Sequence, residues 1–138
     1  MERKLQLALA ASAAGLSRGL PSVEAFLAER AVAAPARLRV AMLLEEAVMN
    51  VAMHGLAQPE SHELQLSVGV HSDRVELVIE DDGVAFDPVT AALPTRPASL
   101  AEASPGGLGI RLMRRFASRL HYQRHDGRNR LTLDVGRD

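Results

Sequence analysis

The chain contains no cysteine and no tryptophan. Without thiols it has neither disulfides nor a thiolate metal centre. Aromatic residues make up only 3%, so leucine, valine and alanine must supply most of the core. No apolar run approaches the ~18 residues needed to span a bilayer. An excess of one charge is lacking too: 16 Lys and Arg stand against 17 Asp and Glu. A net charge of −1 gives no electrostatic reason to expect nucleic acid or an anionic membrane as partner. There is no internal repeat and no low-complexity tract. At 138 residues, with 47% hydrophobic and 24% charged, the composition is that of one globular domain covering 1–138.

The opening "MERKLQLALAASAAGL" has the early positive charge and small residues of a secretory leader. Gln6 interrupts its apolar run, however, and the expected location is the cytoplasm.

Alternation in "KLQLAL" (4–9) predicts a strand. Helical spacing of Leu16, Leu20, Val23 and Leu27 predicts a helix within 12–34, kinked or restarted at Pro21. Pro35 suits the first turn of a second helix and Gly55 its end, giving 35–54. "HELQLSVGVH" (62–71) and "RVELVIEDD" (74–82) read as a β-hairpin. Residues 87–106, with prolines at 94, 97 and 105, form a long loop. A helix over 108–120 and strands at 120–125 and 130–135, joined by a turn at 126–129, complete the chain. The order β-α-α-β-β-loop-α-β-β predicts an α+β fold with helices on one face of a mostly antiparallel sheet.

Three stretches carry chemistry. In "EEAVMNVAMHG" (45–55), Glu46, Asn50 and His54 recur every fourth residue and share one helix face. A solvated seam and a binding site compete as explanations. In favour of a site, Glu46 can accept a proton, and the Asn50 amide oxygen is a neutral hard ligand suited to Mg²⁺. His54 is either an end cap or a site contact; Glu45 points about 100° away from Glu46 and reads as solvated.

In "VIEDDGVAFDP" (78–88), Asp81-Asp82-Gly83 ends a strand. It is an ordinary turn, or it places the Asp81 carboxylate to accept a hydrogen bond from an exocyclic amine such as adenine N6. Gly83 then removes bulk where a planar base would lie. In "SPGGLGIRLMRRF" (104–116), a glycine-rich turn feeds a helix whose free N–H groups favour an anion such as triphosphate. Gly107 and Gly109 permit close approach and Gly106 adds freedom; the alternative is a helix entry with no ligand. Arg111, Arg114 and Arg115 read as a solvated basic face, the alternative being that one of them assists phosphate or partner binding.

Taken together, the stretches resemble the Bergerat-fold (GHKL) ATPases, whose N box matches Glu46-x-x-x-Asn50, whose D-x-G box matches Asp81-Asp82-Gly83 and whose G-x-G box matches Gly107-Leu108-Gly109. More narrowly, "EEAVMNVAMHG", "DDGVAFDP", "GGLGIRLMRR" and "YQRHDGRNRLTLDV" resemble the anti-sigma-factor serine/threonine protein kinases, over roughly 35–135. Ala85 stands where the wider superfamily has a second glycine, as that branch often does.

The resemblance implies a two-layer α/β sandwich that binds ATP and Mg²⁺. Asn50 would hold the metal, Asp81 and Gly83 the adenine, and Gly106, Gly107, Leu108 and Gly109 the phosphates. Glu46 would be the catalytic base, residues 87–106 a lid, and Arg96 a γ-phosphate contact. The implied partner is a small anti-sigma-antagonist (STAS) domain, with a sigma factor as a further partner and no direct contact with nucleic acid or membrane. It also implies a homodimer involving the first helix, where Pro21 departs from the family pattern. The rival expectation is a catalytically silent module that binds nucleotide and sequesters a regulatory partner.

Overall fold

Strands whose side chains alternate between apolar and polar bury one face and solvate the other. In the computed structural model, which describes residues 4–51, 63–83 and 113–138, the alternating segments form five strands. They are β1 (Leu5–Ala10), β2 (Glu63–Val70), β3 (Arg74–Asp81), β4 (Arg119–His125) and β5 (Arg128–Gly136). All pairings are antiparallel, in the order β1-β2-β3-β5-β4. The register aligns Leu66 with Ile79 and Leu77 with Leu133, so the apolar positions of neighbouring strands share one face. Leu64, Leu66 and Val68, then Val75, Leu77 and Ile79, then Leu133 and Val135, form the sheet side of the core. The opposite face bears Glu76, Glu80, Arg130 and Thr132, with ion pairs Lys4–Glu76 at 3.9 Å and Arg128–Glu80 at 3.7 Å.

Helices α1 (Ala13–Glu29) and α2 (Ala34–Asn50) complete the core with Leu16, Val23, Phe26, Leu27, Val40, Leu43, Leu44 and Ala47. The result is the expected α+β arrangement with two layers. Among the described residues no helix is long and apolar enough to cross a membrane.

Ser12 starts α1 as its N-cap: its hydroxyl accepts from the Gly15 N–H at 3.1 Å. The helix then continues through Pro21, with no new start there. Pro21 and Ser17, the residue whose carbonyl loses its helical donor to the proline, are both exposed, so the unpaired carbonyl is not buried in the core. Buried Gly19, Val23, Phe26 and Leu27 hold the helix to the core across that point. Two glycines set how closely α1 approaches β1. A Cβ on Gly15 would lie 2.1 Å from the Ala10 carbonyl oxygen, and one on Gly19 would lie 2.4 Å from a Leu9 methyl.

At its other end, α1 closes with a Schellman pattern. The Val32 N–H reaches the Leu27 carbonyl, and the Ala31 N–H reaches that of Ala28, both at 3.1 Å. Ala31 is forced to φ 59°, a left-handed conformation that glycine adopts more readily.

The start of α2 is tethered to one end of the sheet. The Ala33 N–H donates to the Arg137 carbonyl at 3.1 Å, and the Arg39 guanidinium donates to the Asp138 carbonyl. Those residues follow Gly136, which pairs with Arg74 at the beginning of β3. A helix of 17 residues covers about 25 Å, close to the length of the eight-residue β3. Its buried stripe of Ala36, Val40, Leu43 and Ala47 leads along the helix to Asn50, on the side that packs in the core with the sheet.

The last hairpin differs from expectation in two respects. Helical structure described from residue 113 stops at 116, not at 120, because the Ser118 N–H donates to the Asp134 carbonyl at 2.7 Å and Arg119 already pairs in the sheet. The turn narrows from 126–129 to Asp126-Gly127. With φ of 51° and 76°, these residues make the left-handed connection that matches strand twist. Arg128 and Asn129 consequently belong to β5.

Candidate functional site

On α2, Asn50 occupies the last position of the core-facing stripe and is only 4% exposed. Neither its amide oxygen nor its amide nitrogen has a hydrogen-bond partner among the described residues. Folding an amide inward without partners is unfavourable, and such groups in native proteins call for an explanation such as a ligand. Its oxygen is the hard neutral donor that Mg²⁺ accepts, so the residue fits that ion.

Glu46 lies one turn earlier and is half-buried, while Glu45 is exposed as expected. Burial first, and the Glu45 charge second, push the Glu46 carboxyl above the usual carboxylate range. A carboxylate made more basic by its surroundings is a better proton acceptor near neutral pH.

Asp81 ends β3 on the same sheet face as Val75, Leu77 and Ile79, the face that the helices cover. It is buried, and its Oδ1 accepts the Gly83 N–H at 2.8 Å, so the carboxylate folds the chain back immediately after the strand. Gly83 is itself buried in that turn. The structure thus brings Asp81 and Gly83 into direct contact and puts Asn50 and Asp81 on one side of the sheet.

A third group at this site was not foreseen. Asn129, read from the sequence as a turn residue, is 6% exposed and lies opposite Asp81 in the β3–β5 register. Its Nδ2 donates to Asp81 Oδ1 at 2.9 Å and to the Gly83 carbonyl at 3.4 Å. Its Oδ1 accepts from Arg124 Nη1 at 2.9 Å and from the Tyr122 hydroxyl. The same Arg124 nitrogen donates to the Gly83 carbonyl at 3.0 Å. A usable signal existed: Asn129, Leu131, Leu133 and Val135 share the period-two spacing of the buried face.

His54, Arg96, Gly106, Gly107, Leu108, Gly109, Arg111 and the 87–106 segment lie outside the described residues. Beyond them, Met113 is buried in the core, and exposed Arg115 sits over the Phe116 ring at 5.7 Å.

Comparison with known proteins identifies the family. The sequence pattern described as the histidine kinase-like ATPase domain matches residues 9–135. The serine/threonine-protein kinase BtrW of Bordetella bronchiseptica is 42% identical over 100 residues, covering 71% of this chain and 70% of that protein. The serine-protein kinase RsbW of Bacillus subtilis is 30% identical over 88 residues, covering 61% of this chain and 55% of that one. The anti-sigma F factor of Shouchella clausii is 25% identical over 120 residues, covering 87% and 82%. With the match running from the end of the N-terminal strand through both helices and on to Val135 in the last strand, this chain belongs to the histidine kinase-like ATPase domain family.

Proposed function

We propose that this protein is a serine kinase of the anti-sigma-factor type, which uses ATP and Mg²⁺ to phosphorylate a small antagonist (STAS) domain. The observation that carries the reading is Asn50: a buried carboxamide with no hydrogen-bond partner among the described residues, one turn beyond a half-buried Glu46 whose carboxyl is pushed above its usual range by burial and by Glu45. Family membership and the kinase names of the relatives support the same reading.

In this proposal Asp81 and Gly83 receive the adenine, and Asn50 supplies an oxygen to the metal and an N–H to a phosphate. Gly106, Gly107, Leu108 and Gly109 offer backbone N–H groups to the phosphates, Arg96 contacts the γ-phosphate, and residues 87–106 act as the lid. Bound Mg²⁺ neutralises phosphate charge. Glu46 orients the partner's serine hydroxyl and takes its proton as the serine oxygen bonds to the γ-phosphorus and the bond to the β–γ bridging oxygen breaks, releasing ADP. Phosphoryl transfer asks chiefly for alignment and charge neutralisation, so one base and one amide on a single helix are adequate equipment. The added phosphate places about −1.5 to −2 charge on the partner, which repels it from the carboxylates of this site. Release of the phosphorylated antagonist would free this protein to hold a sigma factor. The whole of 1–138 acts as one domain, in the cytoplasm.

The test is incubation with γ-labelled ATP, Mg²⁺ and the antagonist domain, comparing wild type with Glu46→Ala. Label should move to a partner serine with wild type and not with the variant, while both bind nucleotide. Equal labelling by both proteins would remove Glu46 as the base. Normal ATP binding with no labelling of any partner would favour the silent sequestration module.

A further inference from the structure

We infer that Asn129, oriented by Arg124, is a positioning residue that makes Asp81 selective for an exocyclic amine on the bound base. The inference rests on the nucleotide-binding reading above and assigns a role to residues which that reading leaves unused.

The polarity of the contacts carries the argument. A guanidinium only donates hydrogen bonds, so the Asn129 atom facing Arg124 Nη1 at 2.9 Å must be the amide oxygen. Its nitrogen therefore faces Asp81, and an ionised carboxylate only accepts, which suits the 2.9 Å contact to Oδ1. Each link in the row Arg124, Asn129, Asp81 permits a single direction of donation. The row is built into the sheet, since Arg124 pairs with Asn129 across β4–β5 and Asn129 pairs with Asp81 across β3–β5. The Tyr122 hydroxyl, two residues along β4, adds a second donor to the same amide oxygen.

The consequence falls on the other carboxylate oxygen. Oδ1 is occupied by the Asn129 amide and the Gly83 N–H, whereas no described residue donates to Oδ2. Oδ2 is thus presented as an acceptor, with its orientation fixed by two hydrogen bonds to its twin. Adenine offers an amine at position 6, and hypoxanthine offers a carbonyl there that a carboxylate repels. A fixed acceptor discriminates between them more sharply than one free to rotate away, because a mispaired polar group in a closed site is expensive.

The experiment compares affinities for ATP and inosine triphosphate, which differ at position 6 of the base, by calorimetric titration in the presence of Mg²⁺. Wild type should prefer ATP. Asn129→Leu should lower the ATP-to-ITP affinity ratio about tenfold, as expected for one misaligned charged hydrogen bond. Asn129→Thr, whose hydroxyl can accept from Arg124 and donate to Asp81, should restore much of the ratio. Arg124→Met provides a milder variant should Asn129→Leu fail to fold. There Asn129 keeps its contact with Asp81 but loses the charged donor that holds its amide oxygen in place, and the ratio should fall by less. A purely structural role for Asn129 would weaken both nucleotides alike. An unchanged ratio in whichever of Asn129→Leu and Arg124→Met folds, with wild type preferring ATP, would overturn the inference and leave the kinase reading intact. Failure of folded wild type to bind ATP would remove the kinase reading and this inference with it.

Discussion

An amide buried without partners costs roughly 1–3 kcal/mol, and both polar atoms of Asn50 are in that condition among the described residues. Asn50→Leu keeps the volume and removes the unmet polarity. The ligand-free variant should therefore match or exceed wild-type stability in urea unfolding, by up to about 2 kcal/mol, while losing nucleotide binding. A clear loss of stability would mean that the amide already has a partner in the folded chain. Glu46 gives a second prediction. Its folded-state pKa is raised, so its contribution to stability is present below the unfolded-state pKa and is lost as pH rises through the folded value. Glu46→Gln should thus be more stable than wild type at neutral pH, with the difference vanishing in acid. Because Glu45 contributes to the rise, Glu45→Gln should move the acid limb of the phosphotransfer pH profile to lower pH. Asn50, Glu46, Asp81 and Gly83 were legible in the sequence because each pair is separated by a local spacing, one helical turn or one tight turn. Asn129 was not, because its partner is 48 residues away and Asn beside Asp-Gly-Arg also reads as turn chemistry.

At the level of elements, helix α1 combines one interior proline, two close-packed glycines and a left-handed alanine. Pro21 deprives the carbonyl of exposed Ser17 of its donor, so Pro21→Ala should raise stability by about 1–3 kcal/mol in denaturant titration. Ala31→Gly should add about 0.5–1 kcal/mol by relieving the positive φ at the helix end. Gly15→Ala should do the reverse, costing about 1–3 kcal/mol or more, because the new methyl would meet the Ala10 backbone, which has nowhere to go. The first helix and the first hairpin could be read from periodicity, and the second helix from Pro35 at its start. The continuity of α1 through Pro21 could not, since burial on the far side of the helix holds both halves in one element. The end of the 113–116 helix was equally hidden, because pairing with β5 claims Ser118 and Arg119.

For the molecule as a whole, the Ala33 N–H and the Arg39 guanidinium tie the start of α2 to the chain just beyond β5, while Asp81, Gly83 and Asn129 gather at the opposite end of the β3–β5 pair. The core between them is apolar, from Leu43 and Ala47 on the helix to Leu77 and Leu133 on the sheet. A ligand engaging both Asn50 and Asp81 would couple helix to sheet, so Mg-ATP at a hundred times its Kd should stabilise the fold by about 2.7 kcal/mol. The corresponding rise in Tm should disappear on chelation of Mg²⁺. The most direct measurement is calorimetric titration of ATP into wild type and Asn50→Leu, each with and without Mg²⁺. Wild type should bind saturably and in a Mg²⁺-dependent manner, and Asn50→Leu should bind at least about tenfold more weakly. Absence of binding to folded wild type, or equal affinity in the variant, would contradict a nucleotide site built on Asn50.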